Sequence, residues 1–135
     1  MKRRHGALLV ALFALLVYLP SLRNGFAYDD VPVIEQDARV HTLEQPWRLL
    51  VASWWLDGEA IHALYRPVVT TSFAVDWALY RGAPAGFHFT NAVANAVAAA
   101  LVFLLLLHFA SAPAALEGAM LFVVHPVHVE AVANV

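Results

Sequence analysis

Three long apolar stretches constrain the fold of this chain more than any other feature of its sequence. They cover residues 6–22, 87–109 and 114–135 of a chain of 135 residues. About 17 consecutive apolar residues is the lower limit for an α-helix that crosses a lipid bilayer, and each stretch reaches that length. The sequence therefore predicts an all-α membrane protein with three transmembrane helices, over residues 6–22, 88–109 and 114–135.

The overall composition agrees with a membrane protein and excludes several other classes. Hydrophobic residues make up 61% of the chain and charged residues 13%, whereas soluble domains have about 45–50% and about 25%. The net charge of −2 and the lack of a basic stripe argue against nucleic acid as a partner. The absence of cysteine excludes disulfides, thiolate catalysis and cysteine-ligated zinc.

The orientation in the membrane follows from the basic residues at the amino terminus. Lys2, Arg3 and Arg4 precede the first apolar stretch, and the positive-inside rule places them on the cytoplasmic side. A signal peptide has the same beginning, but no small-x-small cleavage site follows, so we favour an uncleaved signal anchor. Residues 23–87 then form a long outer loop, and the third helix ends on that same outer face.

The outer loop is too charged to span a membrane, and its first half carries a helix pattern. Thr42 with Gln45 three residues later resembles a helix start, and residues 57–59 predict a turn. Between the helix start and the turn, apolar side chains stand at helical spacing: Trp47, Leu50, Val51, Trp54 and Trp55. Such a stripe either packs against a neighbouring helix or lies in the lipid interface. The three tryptophans favour amphipathic, interfacial helices in this loop.

A second loop helix is predicted from Val68 to Tyr80, after Pro67 and before Arg81 and Gly82. Arg66 stands directly before it. An arginine beside the free amides of a helix start can bind phosphate, although a surface or packing role is the more common one.

Two groups of side chains on the outer face are able to carry chemistry. Asp29 and Asp30 follow the first stretch. They are a solvated acidic turn, or one of them acts as a general base, or the pair binds Mg²⁺ against a phosphate. His125 and His128 share a helix face, which a metal site allows. Glu130 is about 140° around an ideal helix from His125, so a helix-capping or interfacial histidine pair is favoured. The sequence predicts no cofactor, and a divalent cation stays open.

A set of short motifs resembles a known family. In chain order the motifs are Pro20-Ser21-Leu22-Arg23-Asn24-Gly25-Phe26-Ala27-Tyr28-Asp29-Asp30, Tyr65-Arg66-Pro67, Ser72-Phe73, Asp76, Gly86-Phe87-His88-Phe89-Thr90-Asn91 and His125-Pro126-Val127-His128-Val129-Glu130-Ala131-Val132. Together they resemble the amino-terminal part of the membrane O-mannosyltransferase-like proteins that carry tetratricopeptide repeats. Those proteins are grouped with the GT-C glycosyltransferases, which use lipid-phosphate sugars. The resemblance runs from Tyr18 to the last residue.

The resemblance implies a function and roles for five residues. It implies transfer of a sugar, with inversion, from a polyprenyl-phosphate-linked donor to a protein hydroxyl on the outer face. Asp29 is then the candidate base, Asp30 the neighbour that orients it, and Arg66 a contact for the lipid phosphate. His125 and His128 line the outer rim of the site. The implied partners are membrane lipid, the donor and a protein acceptor, in a multi-pass protein of a bacterial cytoplasmic membrane with a periplasmic loop.

Two departures from the family pattern keep other interpretations open. Asn95 stands where relatives often have histidine, and the further helices and tetratricopeptide repeats of the family are absent from these 135 residues. The chain is therefore expected to be an amino-terminal fragment that is inactive alone. The alternative function is a non-catalytic membrane subunit that binds partner helices. A transporter fragment is disfavoured, because no broken helix carries a charge at mid-membrane.

Overall fold

The computed structural model describes residues 3–54 and 64–135, and the regular structure of these residues is helical throughout. Helices α1 and α2 cover Arg3–Tyr18 and Pro46–Leu49, α3 covers Pro67–Tyr80, α4 covers Pro84–Leu106, and α5 and α6 cover Ala112–Val124 and His128–Ala133. Short 3₁₀ segments lie at Leu19–Arg23 and Ala38–His41, and a π-helical turn lies at Val31–Glu35. The predicted all-α class is confirmed for the described residues.

The chain divides into two compact units. The spanning unit comprises Met1–Asn24 with His88–Val135, and the loop unit comprises Gly25–Phe87. Within the described residues, two helical segments are long and apolar enough to cross a membrane: Arg3–Arg23, with 21 residues, and α4, with 23. They correspond to the predicted helices at 6–22 and 88–109, and they indicate a membrane protein. Helix α4 begins earlier than predicted because proline is tolerated in the first turn of a helix.

The third apolar stretch does not form one continuous helix over residues 114–135. Helix α5 ends at Val124 and α6 begins at His128. Pro126 lacks a backbone N–H and disfavours helical geometry in the residue before it, and His125 accordingly adopts an extended conformation with ψ 129°. The 13 residues of α5 span about 20 Å at 1.5 Å per residue, which is less than the hydrocarbon core of a bilayer.

Small side chains form most of the core of the spanning unit. The buried cluster consists of Val10, Ala14, Ala96, Ala99, Phe103, Ala115, Ala119 and Val123. Small residues let helix backbones approach closely, which is how helices associate in lipid. The core therefore joins α1, α4 and α5 through close backbone packing rather than through large side chains.

The polar side chains of α4 are only partly hydrogen-bonded. Asn91 Nδ2 donates to the carbonyl oxygen of Asn134 at 2.9 Å, just after the end of α6. Asn95 is buried, but its Nδ2 has no hydrogen-bond partner within the described residues, and the same is true of both ring nitrogens of buried His88.

Aromatic side chains organise the loop unit around α3. The His41 and Trp77 rings are stacked with centroids 3.5 Å apart, and His41 Nε2 lies 2.7 Å from the carbonyl oxygen of Ile34. Phe73 lies between Trp54 and Phe87, with centroid distances of 5.8 Å and 6.4 Å. The loop unit thus has an aromatic core of its own.

The predicted tryptophan-rich helix is wrong in both its start and its length. Helix α2 has four residues and begins at Pro46 with Gln45 as its N-cap, while Thr42 Oγ1 accepts a hydrogen bond from the backbone of Glu44. Proline fits the first position of a helix but breaks the hydrogen-bond ladder further in, so Pro46 fixes a later start. Trp47 is 59% exposed and Trp54 only 5%, which one continuous stripe does not predict. Trp55 and the predicted turn at residues 57–59 lie outside the described residues.

The second loop helix agrees with its prediction. Helix α3 runs from Pro67 to Tyr80, and Arg81 N donates to Trp77 O at 2.8 Å. Arg81 and Gly82 both have positive φ, 55° and 76°. This left-handed ending is typical of a helix C-terminus and favours glycine.

We expect Gly86→Ala to destabilise the protein. A Cβ atom at Gly86 would lie 2.0 Å from Tyr80 Cγ, so the Tyr80 side chain must move. Overpacking of this kind costs about 1–3 kcal/mol, and the better helix propensity of alanine returns at most about 1 kcal/mol. Gly25→Ala is the matched control because nothing lies within 4 Å of its Cβ position. Thermal unfolding of the full-length protein in one detergent should separate the two variants, and equal midpoints would contradict the packing.

Candidate functional site

Asp29 and Asp30 lie in a tight turn in which one carboxylate is buried and the other is exposed. Asp30 Oδ2 accepts a hydrogen bond from Ala27 N at 3.1 Å, and Asp30 N donates to Ala27 O at 3.1 Å. The side chain of Asp30 is buried, with 2% of the residue exposed. Asp29 is exposed, and its carbonyl oxygen accepts from Val33 N at 3.1 Å. Asp30 therefore holds the turn closed while Asp29 remains on the surface.

Tyr28 gives this turn an unusual backbone. Its φ is 52°, and the left-handed region costs a residue other than glycine about 1–2 kcal/mol. Asp30 offsets this cost by bonding the backbone on the other side of Tyr28. The result is a Tyr28 that is 88% exposed, directly before an exposed Asp29.

The arrangement suits Asp29 for proton transfer better than Asp30. A general base must come within hydrogen-bond reach of the proton that it removes. An exposed carboxylate meets this requirement for a substrate that arrives from solvent, and a carboxylate buried in its own turn does not.

Arg66 is the N-cap residue of α3, as predicted from its position before Pro67. Its Cζ lies 5.1 Å from the centroid of the Trp54 ring, a distance at which a guanidinium is attracted to an aromatic face. Trp54 N donates to Leu64 O at 2.9 Å, which fixes the aromatic partner. Arg66 is exposed, so its charge is held in place and remains accessible.

The two histidines lie in the spanning unit at the break between α5 and α6. His125 Nδ1 accepts a hydrogen bond from Val127 N at 3.2 Å. The ring centroids of His125 and His128 are 6.3 Å apart, and those of His128 and Phe122 are 4.3 Å apart. These contacts match a histidine pair that closes a turn. In the part of the chain that the structure describes, no group of three or more histidine, cysteine or acidic side chains is placed to hold a metal ion.

The five predicted site residues are thus divided between the two units. Asp29, Asp30 and Arg66 belong to the loop unit, and His125 and His128 to the spanning unit. Asp29 lies in the same turn as Asp30, which closes that turn by its hydrogen bonds to Ala27. The rings of His125 and His128 lie next to each other.

The sequence interpretation missed an ion pair and a cavity in the loop unit. Arg39 Nε lies 2.8 Å from Asp37 Oδ1, and Arg39 Nη2 lies 2.6 Å from Asp37 Oδ2. These hydrogen bonds raise the pKa of Arg39 above its ordinary value. Arg39 also lines a cavity of about 340 Å³ together with Arg48 and Glu44. Two residues at this spacing do not share a helix face. Here Asp37 is the extended N-cap residue of the 3₁₀ turn at Ala38–His41, and its side chain bonds Arg39 across the start of that turn.

Comparison with known proteins identifies relatives for almost the whole chain. Protein O-mannosyl-transferase Tmtc2 of Drosophila melanogaster is 38% identical over 128 residues, which are 90% of this chain and 14% of that protein. A protein O-mannosyl-transferase of Caenorhabditis elegans is 30% identical over 139 residues, 98% of this chain and 20% of that protein. Protein O-mannosyl-transferase TMTC1 of Mus musculus is 35% identical over 141 residues, 96% of this chain and 14% of that protein.

The chain therefore spans 14% to 20% of the length of these relatives. No family model matches it, and no solved structure gives a significant match. The relatives are animal proteins, so they do not support the predicted bacterial membrane or its periplasmic loop.

Proposed function

On the premise that this chain is homologous to a segment of the protein O-mannosyl-transferases, we propose that it forms part of a membrane glycosyltransferase. The enzyme transfers a sugar from a polyprenyl-phosphate-linked donor to a serine or threonine hydroxyl of a protein acceptor. The observation that carries the proposal is the acidic turn, in which buried Asp30 holds the backbone and exposed Asp29 is accessible to an incoming hydroxyl.

In the proposed reaction, the Asp29 carboxylate accepts the proton of the acceptor hydroxyl. The hydroxyl oxygen attacks the anomeric carbon, and the bond between that carbon and the phosphate oxygen breaks. The bonding electrons leave with the lipid phosphate, so a single displacement inverts the anomeric centre. Arg66 stabilises the phosphate charge, because arginine and phosphate form strong charge-assisted hydrogen bonds. His125 and His128 line the outer rim of the proposed site.

We propose three membrane crossings, with the amino terminus in the cytoplasm and the loop unit on the opposite face. Arg3–Arg23 and α4 are the first two crossings. The third is made by α5 and α6 together, because α5 alone is too short. In the loop unit, the surface that meets the lipid interface consists of exposed Trp47, Leu50 and Val51. It takes the place of the long amphipathic helix that the sequence predicted.

The test uses sealed membrane vesicles that contain the full-length protein. A labelled polyprenyl-phosphate sugar is incorporated in the bilayer, and an impermeant serine-containing peptide is added on one side only. We expect transfer when the peptide is on the side of the loop unit and little transfer when it is on the side of His5. Glu35→Cys and His5→Cys, each as the single cysteine of the protein, assign the two sides; the 135 residues contain no other cysteine. Transfer from the His5 side only would overturn the proposal, and the absence of transfer from both sides would favour a non-catalytic membrane subunit.

A further inference from the structure

A cavity in the loop unit has no role in the proposed transfer. Its volume is about 340 Å³, which is within the range of small-molecule sites. The cavity is formed by two arginines, one glutamate, further polar residues and an apolar floor: Arg39, Thr42, Glu44, Gln45, Arg48, Leu49 and Ala52. Neither Asp29 nor Arg66 is among these lining residues.

Arg39 is fixed in this cavity by a buried carboxylate. Asp37 is 1% exposed and engages the Nε and Nη2 groups of Arg39, while Nη1 donates to Ser53 O at 3.1 Å. A guanidinium has five N–H donors, and these bonds use three of them. Two donors therefore remain on a side chain whose position is already set, which lowers the entropy cost of binding a ligand.

The charges around the cavity define the ligand that it suits. The Arg39 charge is balanced by Asp37, which leaves Arg48 as one positive group and Glu44 as one negative group on the wall. Both side chains are exposed, so both are free to reorient toward a ligand. A ligand with no net charge but with separate anionic and cationic groups matches this balance. Arginine suits a phosphate, and a carboxylate suits an ammonium that has N–H donors.

The surroundings of the cavity indicate where such a ligand comes from. Trp47, Leu50 and Val51 are 59%, 50% and 82% exposed, and they flank the wall residues Arg48 and Leu49 in sequence. Exposed apolar side chains next to arginines are typical of surfaces that enter a lipid interface. The loop unit is also joined at both ends to segments able to cross a membrane, which tethers it near the bilayer surface.

We propose that this cavity binds the headgroup of a bilayer phospholipid that carries a phosphate and a primary ammonium. Arg39 and Arg48 bind the phosphate, and Glu44 accepts hydrogen bonds from the ammonium. Phosphatidylethanolamine has this chemistry. Phosphatidylcholine has the same charges but no N–H donor for Glu44, so the cavity discriminates between the two. This lipid anchors the loop unit and is distinct from the sugar donor, so the inference does not depend on the transfer activity.

The experiment measures lipids retained by the full-length protein. Purified protein is equilibrated in micelles with equal amounts of phosphatidylethanolamine, phosphatidylcholine and phosphatidylglycerol, and the bound lipids are counted by native mass spectrometry. We expect preferential retention of phosphatidylethanolamine. Arg48→Gln should lower its retention about tenfold or more, the effect of losing one charge-assisted contact. Glu44→Ala, which leaves no acceptor for the ammonium, should abolish the preference for phosphatidylethanolamine over phosphatidylcholine while retaining both. Arg81→Gln, an exposed arginine outside the cavity, should behave like the wild type.

Three results would overturn the proposal. The first is equal retention of phosphatidylethanolamine and phosphatidylcholine by the wild type, and the second is equal retention by the Arg48→Gln and Arg81→Gln variants. The third is displacement of the bound lipid by polyprenyl phosphate at matched concentration, which would identify the cavity as a donor site. Bilayer contact is checked separately with brominated phosphatidylethanolamine, which quenches tryptophan fluorescence. The lipid should quench the wild type more than Trp47→Phe. Equal quenching would contradict contact with the bilayer at the cavity.

Discussion

Asp29→Asn lowers the rate of sugar transfer by about 10²–10⁴-fold, the usual contribution of a general base. The amide keeps the shape of the side chain but does not accept a proton from the acceptor hydroxyl. Binding of the lipid donor should change little, because the neutral amide adds no repulsion toward phosphate. The measurement is single-turnover transfer by the full-length protein, together with a separate binding assay for the donor.

Asp30→Asn and added metal distinguish a general base at Asp29 from a metal site and from a solvated turn. Asp30 Oδ2 bonds Ala27 N within a buried turn, so Asp30→Asn should lower stability as well as transfer. If Asp29 instead holds a divalent cation, Asp29→Asn should weaken donor binding and transfer together, and excess Mg²⁺ or Mn²⁺ should partly restore both. Unchanged turnover in Asp29→Asn would leave the acidic pair as a solvated turn.

Asp37→Ala should clearly lower the stability of the loop unit, because it breaks the ion pair of a buried carboxylate. It removes the partner of Arg39 and also the bond from Arg39 N to Asp37 Oδ1, 2.9 Å, that caps the 3₁₀ turn. Removing one member of a buried ion pair costs about 3–5 kcal/mol. Arg39 is 32% exposed and regains some hydration, so we expect a loss of about 2–3 kcal/mol.

The matched control for Asp37→Ala is Glu35→Ala, an exposed acid close by in the same unit. Chemical unfolding of both full-length variants in one detergent gives the comparison. Equal free energies of unfolding would show that the ion pair adds nothing to the fold.

The sequence was sufficient for elements that one local signal defines. Apolar length alone predicted the segments that became Arg3–Arg23 and α4. Pro67 and the pair Arg81 and Gly82 marked both ends of α3, because a proline at the start and a left-handed ending are local backbone effects.

The sequence interpretation failed where a proline competes with hydrophobic periodicity. Pro46 moved the start of α2 past Thr42, and Pro126 divided the third apolar stretch. In both places the pattern of apolar residues continues through the proline, but the hydrogen-bond ladder of a helix does not. The backbone constraint therefore outweighs the periodicity.

The residues of the candidate site could be predicted from the sequence, but their geometry could not. The pair Asp29 and Asp30 is visible in the sequence, but which acid is buried depends on the left-handed backbone of Tyr28. That conformation is rare outside glycine, so no local signal predicts it. The same holds for Asp37 and Arg39, whose contact requires a 3₁₀ turn and the carbonyl group of Ser53.

The central claim is that Asp29 acts as the base in a single displacement at the anomeric carbon. The most direct measurement is the anomeric configuration of the sugar that the full-length protein transfers to a serine peptide, determined by NMR on the product. We expect a configuration opposite to that of the donor, with no product above background from Asp29→Asn within the same reaction time. A product that retains the donor configuration, or one formed equally well by Asp29→Asn, would contradict it.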